Sequence, residues 1–114
     1  MMKVLIVEDN SDMRRVLVNF IRPLCQTVYE CSDGIDALRL YRECRPDWVL
    51  MDWQMEKMDG ITASEQILSQ FPNAHICMVT SFSDEELEKE AFKAGVEKFV
   101  PKENLLSLRE ILTS

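Results

Sequence analysis

Histidine is nearly absent from this chain of 114 residues: His75 stands alone. The four cysteines, Cys25, Cys31, Cys44 and Cys77, include no CxxC pair. These two shortages argue against a zinc site, whose ligands come at close spacing. No apolar run approaches the roughly 18 residues that span a bilayer. The N-terminus also lacks the layout of a signal peptide, so a cytoplasmic protein without membrane contact is expected. Reduced thiols fit that setting, and Cys77, inside an apolar run, reads as a small core residue. Basic residues are in deficit, with 13 Lys and Arg against 20 Asp and Glu and a net charge of −7. Such a surface repels phosphate backbones, so cations or a basic partner are expected rather than nucleic acid. Repeats, linkers and low-complexity segments are missing as well. A single domain over residues 1–114, with one core, is expected.

What the chain does contain is a regular alternation. Residues 4–7, 48–51 and 76–79 are short and wholly apolar, as parallel strands covered on both faces must be. Residues 27–31 and 98–100 are more mixed, which suits edge strands. Helical patterns lie between them. Met13, Val16, Leu17, Phe20 and Ile21 follow the helical stripe, closed by Pro23. Ile35, Leu38 and Tyr41 mark a second helix, with Ser32 or Asp33 as its cap and Pro46 beyond its end. Asp59 caps a third that carries Ile61, Ser64, Ile67, Leu68 and Phe71, and Pro72 stops it. Ser83 and Glu86 form a capping box for a fourth helix that ends at Gly95. Leu105, Leu108 and Leu112 stripe the fifth. Five strand–helix units predict an α/β, doubly wound (βα)5 sandwich of the flavodoxin-like type. Its parallel sheet is expected in the order 2-1-3-4-5, with the apolar strands central.

Ligands of such sheets sit beyond the carboxyl ends of the strands. The run VLIVEDN delivers Glu8 and Asp9 there, MDWQMEKMDG delivers Asp52, MVTSFSD delivers Thr80 and Ser81, and FVPKEN delivers Lys102. Three clustered carboxylates repel one another unless a hard cation shares the site. Oxygen donors without histidine or cysteine favour Mg²⁺, or Mn²⁺, over zinc. A cation with Lys102 opposite would cancel the repulsion between Asp52 and a phosphoryl group. Thr80 could bond a phosphoryl oxygen, which is catalysis by positioning and electrostatics.

With these residues in order, the chain resembles, over essentially its whole length, the receiver domain of bacterial response regulators in two-component phosphorelays. EDN after the first strand, Asp52 with the downstream MDG, Thr80 before a small residue, and Lys102 carry the likeness. It implies that Asp52 accepts a phosphoryl group from a histidine kinase or histidine phosphotransfer protein, without turnover as an enzyme. It implies that Asp9 and Asp52 bind Mg²⁺ directly, Glu8 through water, and Gln54 through its backbone carbonyl. Thr80 and Lys102 would engage the phosphoryl oxygens. Phe99 matches the aromatic switch position, with a plain core role as the alternative. The face of the fourth helix, fifth strand and fifth helix is then expected to carry output or self-association.

Two positions depart from the family pattern. Glu56 and Glu103 stand where proline is common, and a cis bond after Lys102 cannot be assumed at a cost of about 2.5–4 kcal/mol. By spacing, Gln54 and Phe82 border the path of a hydrolytic water. Gln54 is no base and a phenyl ring only excludes water, so slow self-dephosphorylation is expected, unless Phe82 is ordinary loop packing. Rival classes fare worse. An FMN site needs hydroxyls and amides where EDNSD places anions, and an aspartyl-phosphate phosphatase needs an acid where Gln54 stands. A docking-only pseudo-receiver would not keep the acceptor residues intact. Whether the protein acts alone or as part of a longer regulator is left open by the sequence.

Overall fold

Residues 4–7 can be apolar on both faces only if both faces are covered, and they are. In the computed structural model, which describes residues 2–81 and 84–113, β1 (Lys3–Val7) pairs in parallel with β2 (Thr27–Cys31) on one side and β3 (Trp48–Met51) on the other. β4 (Ile76–Thr80) and β5 (Lys98–Pro101) complete the sheet in the order 2-1-3-4-5, as expected. Strand side chains alternate between faces, and the core divides accordingly. Val4, Ile6, Leu50, Cys77 and Val79 pack with Leu17, Val18 and Ile21 of α1 (Ser11–Ile21) and with Leu108 and Leu112 of α5 (Leu106–Thr113). Leu5, Val7, Val49, Met51 and Met78 meet Tyr41 of α2 (Ala37–Cys44), Ile67 of α3 (Gly60–Gln70) and Ala91 of α4 (Glu85–Lys93).

Three details differ from the sequence reading. Val16 is 48% exposed while Val18 is buried, so the inner face of α1 is turned towards Val18. α2 begins only at Ala37, and Ile35 lies outside it and is exposed. Asp33 does cap, but it caps the turn ahead of the helix, accepting from the Asp36 N–H at 2.9 Å. The turn intervenes because Gly34 packs against the Met58 carbonyl, where any side chain would crowd. α4 is capped by Asp84, which accepts from the Glu86 N–H at 2.9 Å. Ser83, the expected cap, lies outside the described residues, as does Phe82.

Phe71 and Leu105, expected on the third and fifth helical stripes, lie just outside α3 and α5. The following expectations hold. Asp59 caps α3 by accepting from the Thr62 N–H at 2.8 Å. α4 gives way to Gly95 at φ 104°, a conformation that favours glycine. All four cysteines are free, and burial pushes the Cys77 thiol up to about 12, so it is inert.

Gly60 sets how close α3 comes to the end of β3. It opens α3, donates its N–H to the Trp53 carbonyl at 2.8 Å, and lies so close to Asp52 that a Cβ would land on the Asp52 carbonyl. Main chain against main chain cannot give way as a side chain can. Gly60→Ala is therefore expected to cost at least about 2 kcal/mol of stability, the scale of overpacking, and to displace Asp52. Chemical denaturation checks the first effect and Mg²⁺ titration the second; wild-type stability in Gly60→Ala would contradict the close approach.

Candidate functional site

The sheet holds the site residues by main-chain bonds that continue just past the strand ends. Glu8 donates its N–H to the Cys31 carbonyl at 3.0 Å, Asp52 to Val7 at 3.0 Å, and Lys102 to Thr80 at 2.8 Å. Each functional side chain is thus anchored although it stands one residue beyond its strand. The reversal of strand order falls between β1 and β3, and the crevice it creates lies where Glu8, Asp9 and Asp52 emerge.

Glu8 is 1% exposed and Asp52 5% exposed, burial that a carboxylate tolerates only with partners. The partner is Lys102, whose Nζ lies 2.7 Å from Glu8 Oε1 and 3.3 Å from Asp52 Oδ1. Glu8 Oε2 accepts from the Asn10 N–H at 3.2 Å. The Glu8 carbonyl accepts from the guanidinium of Arg14 at 2.8 Å, and that guanidinium also pairs with Glu30 at 3.2 Å. Asp9 is the least enclosed acid of the three, and its Oδ2 accepts from the Glu56 N–H at 3.2 Å. A ligand oxygen from each of Glu8, Asp9 and Asp52 falls within 4.8 Å of the others.

The electrostatics follow from that crowding. Burial, and then the charge of Glu8, raise the Asp52 carboxyl to about 7, with Lys102 pulling the other way. Burial works against the Lys102 ammonium. Its hydrogen bond to Glu8 and the fields of Asp52 and Glu8 outweigh that penalty and hold its pKa above the ordinary lysine value. Three carboxylates against one ammonium leave a negative excess that a divalent cation would neutralise. The donor set is oxygen only, two of its members are buried, and their spacing suits a hard ion, so the residues fit Mg²⁺.

A cavity of about 210 Å³ joins Glu8, Asp9, Asp52, Gln54, Thr80, Ser81 and Lys102. The sequence-predicted residues therefore meet, with Thr80 buried and Gln54 and Ser81 exposed at the rim. Phe99 is set apart: it lies opposite Met78 in β5, partly buried against the face of the sheet covered by α2, α3 and α4. Trp53, next to Asp52, packs against that same cluster. The peptide bond after Lys102 is trans, like every described bond. Sequence reasoning missed Arg14 and the Glu56 N–H. Arg14 carries a weak signal, the first of two adjacent arginines one turn into α1, whereas a main-chain donor carries none.

Residues 4–113 match the response regulator receiver domain. The transcriptional regulatory protein YhcZ of Bacillus subtilis is 36% identical, over 96% of this chain and 54% of its own length. The chemotaxis protein CheY of Halobacterium salinarum is 37% identical, over 88% of this chain and 83% of its own. The chain thus spans about half of YhcZ and most of CheY. Among solved structures, the response regulator domain of Thermotoga maritima CheB superposes with a TM-score of 0.89 at 26% identity, covering 99% of this chain and 94% of that one. The receiver domain of the Arabidopsis thaliana histidine kinase CKI1, solved with Mg²⁺ and BeF3⁻, gives 0.82 at 28% identity, over 99% of this chain and 91% of its own. With its five parallel strands and its acids gathered at their carboxyl ends, the chain belongs to the response regulator receiver domain family, the phosphoacceptor module of two-component signalling.

Proposed function

We propose that Asp52 is the phosphoacceptor, taking a phosphoryl group from a phosphohistidine on a sensor histidine kinase or histidine phosphotransfer protein. The observation that carries this reading is the buried contact of Asp52 with Lys102, opening on a cavity walled by Thr80 and Ser81. An Asp52 oxygen forms the new O–P bond as the donor's P–N bond breaks, and the electron pair leaves with the imidazole. Thr80 and Lys102 would hold phosphoryl oxygens, Lys102 exchanging its contact with Glu8 for one of them. Glu8, Asp9 and Asp52, with the backbone carbonyl of Gln54, would hold Mg²⁺, and Mn²⁺ shares the same donor preference. The bound ion supplies the positive charge that lets two anionic groups approach. Gln54, exposed at the rim, has no basic group to activate water, so self-dephosphorylation is slow in this reading.

The output belongs to the face of α4, β5 and α5. Lys102 and Phe99 share one edge segment, so a shift of Lys102 and Thr80 towards a phosphoryl group is felt at Phe99. Phe92 is 45% exposed and Leu106 67%, apolar surface open to an output partner or a second copy of the chain. Sedimentation with and without a phosphoryl mimic should show a phosphorylation-dependent change in self-association or partner binding, lost in Phe92→Asp. Identical behaviour in both states would leave this face without a function.

Incubation with Mg²⁺ and a small phosphoryl donor should add one phosphoryl group, stable to acid and labile to hydroxylamine. Asp52→Asn should abolish it. A label on serine or threonine by mass spectrometry, or one undiminished in Asp52→Asn, would remove Asp52 from the role.

The raised Asp52 pKa gives a stability signature. The folded apo protein keeps the Asp52 proton up to about pH 7, while the unfolded chain loses it near the ordinary value of 3.8. Asp52 therefore costs nothing below pH 3.8, and its penalty grows until about pH 7. Between those values apo wild type should lose stability relative to Asp52→Asn, by up to about 4 kcal/mol at 1.36 kcal/mol per unit. Mg²⁺ should flatten the difference by stabilising the folded form alone. Denaturant titrations of both proteins across that range, with and without Mg²⁺, measure it. Parallel curves in the apo proteins would mean that Asp52 is not strained by its neighbours.

A further inference from the structure

The acids of the site are held by two kinds of donor, the Lys102 ammonium and main-chain N–H groups such as that of Asn10 on Glu8, and the kind of donor bears on metal affinity. Glu8 and Asp52 are held by the ammonium of Lys102, a charge that competes with any cation for the same oxygens. Asp9, the least enclosed, is held by a neutral donor, the Glu56 main-chain N–H, 3.2 Å from Oδ2. An amide orients a carboxylate without competing with a cation for it, since it bears only a partial charge.

The donor sits well placed for this task. Glu56 lies in the loop from Asp52 to α3, which is closed at its far end by the Gly60 N–H on the Trp53 carbonyl. The amide is thus tied to the segment that carries Asp52 and bonds across to the segment that carries Asp9. The Glu56 side chain is exposed and lines, with Asp9, Asp33 and Lys57, a second cavity of about 440 Å³. Main chain and side chain of this residue can be tested apart because proline alone removes the N–H.

We propose that the main-chain N–H of Glu56 is a positioning group for Asp9, setting its carboxylate for the divalent cation independently of the Glu56 side chain. This rests on the reading of Asp9 as a metal ligand. Proline at position 56 removes the N–H, whereas alanine and glutamine keep it and remove the charge. Mg²⁺ affinity, read by calorimetry and by Trp53 fluorescence, should be about tenfold weaker in Glu56→Pro than in Glu56→Ala, as expected for a lost hydrogen bond to a charged group. Glu56→Ala and Glu56→Gln should stay within about threefold of wild type, the scale of one exposed charge. Equal affinities in Glu56→Pro and Glu56→Ala overturn the proposal while leaving the metal site standing. No Mg²⁺ binding to wild type overturns both. Because proline also restricts Met55, a second measurement avoids it: amide hydrogen exchange at Glu56 in the apo protein. Exchange there should speed up at least about fivefold in Asp9→Ala, and an unchanged rate overturns the proposal whether or not Glu56→Pro folds.

Discussion

Mutual repulsion among Glu8, Asp9 and Asp52 is the constraint on which the rest of the structure depends. Their oxygens fall within 4.8 Å of one another, and two of the three are nearly sealed from water. Such a cluster relaxes unless something rigid prevents it. The rigid part is the apolar centre of the sheet: β1 and β3 are paired over four residues from Val4 and Trp48. Their ladder continues into the Asp52 N–H on the Val7 carbonyl. Moving the acids apart would mean breaking strand pairing beneath a packed core. The repulsion is instead answered locally, by Lys102 in the free protein, and burial, together with the charge of Glu8, raises the pKa of the very carboxylate that the proposed chemistry needs.

Lys102 is in consequence bound twice over. It is the counter-charge for two buried acids, and in the proposed function it is also the group that receives phosphoryl oxygens. Two of the three donors of one ammonium are already engaged by Glu8 and Asp52, so a phosphoryl oxygen competes with them for it. Breaking a buried pair leaves an uncompensated charge, so a lysine withdrawn from Glu8 needs another cation in its place. The coupling between metal and phosphoryl group can thus be argued from charge balance alone. Its mechanical route is short as well, since the Lys102 N–H holds the Thr80 carbonyl and Thr80 lies opposite Pro101. Pro101 has no N–H to give the ladder, which an edge strand tolerates.

The sequence disclosed the fold because its signals were of the strong kind. Three wholly apolar strands had to be central and the two mixed ones edges, and the doubly wound crossover rule then selects the observed order. The acids, Thr80 and Lys102 were legible because a strand end is a place where side-chain identity and position are read together. What stayed hidden depended on tertiary contact. Val16 and Val18 both fit an apolar stripe, and only docking against β1 and β3 decides that Val18 turns inward. The start of α2 was misplaced because the tight packing of Gly34 on Met58 has no local signature. The Glu56 N–H was invisible for a deeper reason: every residue except proline has one.

Proline's missing N–H also separates this site from others of its fold. Where proline occupies the position of Glu56, Asp9 loses a main-chain donor and must be oriented by other means. The cost of gaining the donor is a freer loop, since proline would have fixed the backbone in advance. Here the freedom is curbed at both ends, by the Asp52 N–H on the Val7 carbonyl and by the Gly60 N–H on the Trp53 carbonyl. Gly60 can close that second bond only because it lacks a Cβ, which would strike the Asp52 carbonyl. The glycine at the start of α3 and the amide of Glu56 are therefore parts of one device. The first brings the loop hard against Asp52, and the second carries it across to Asp9.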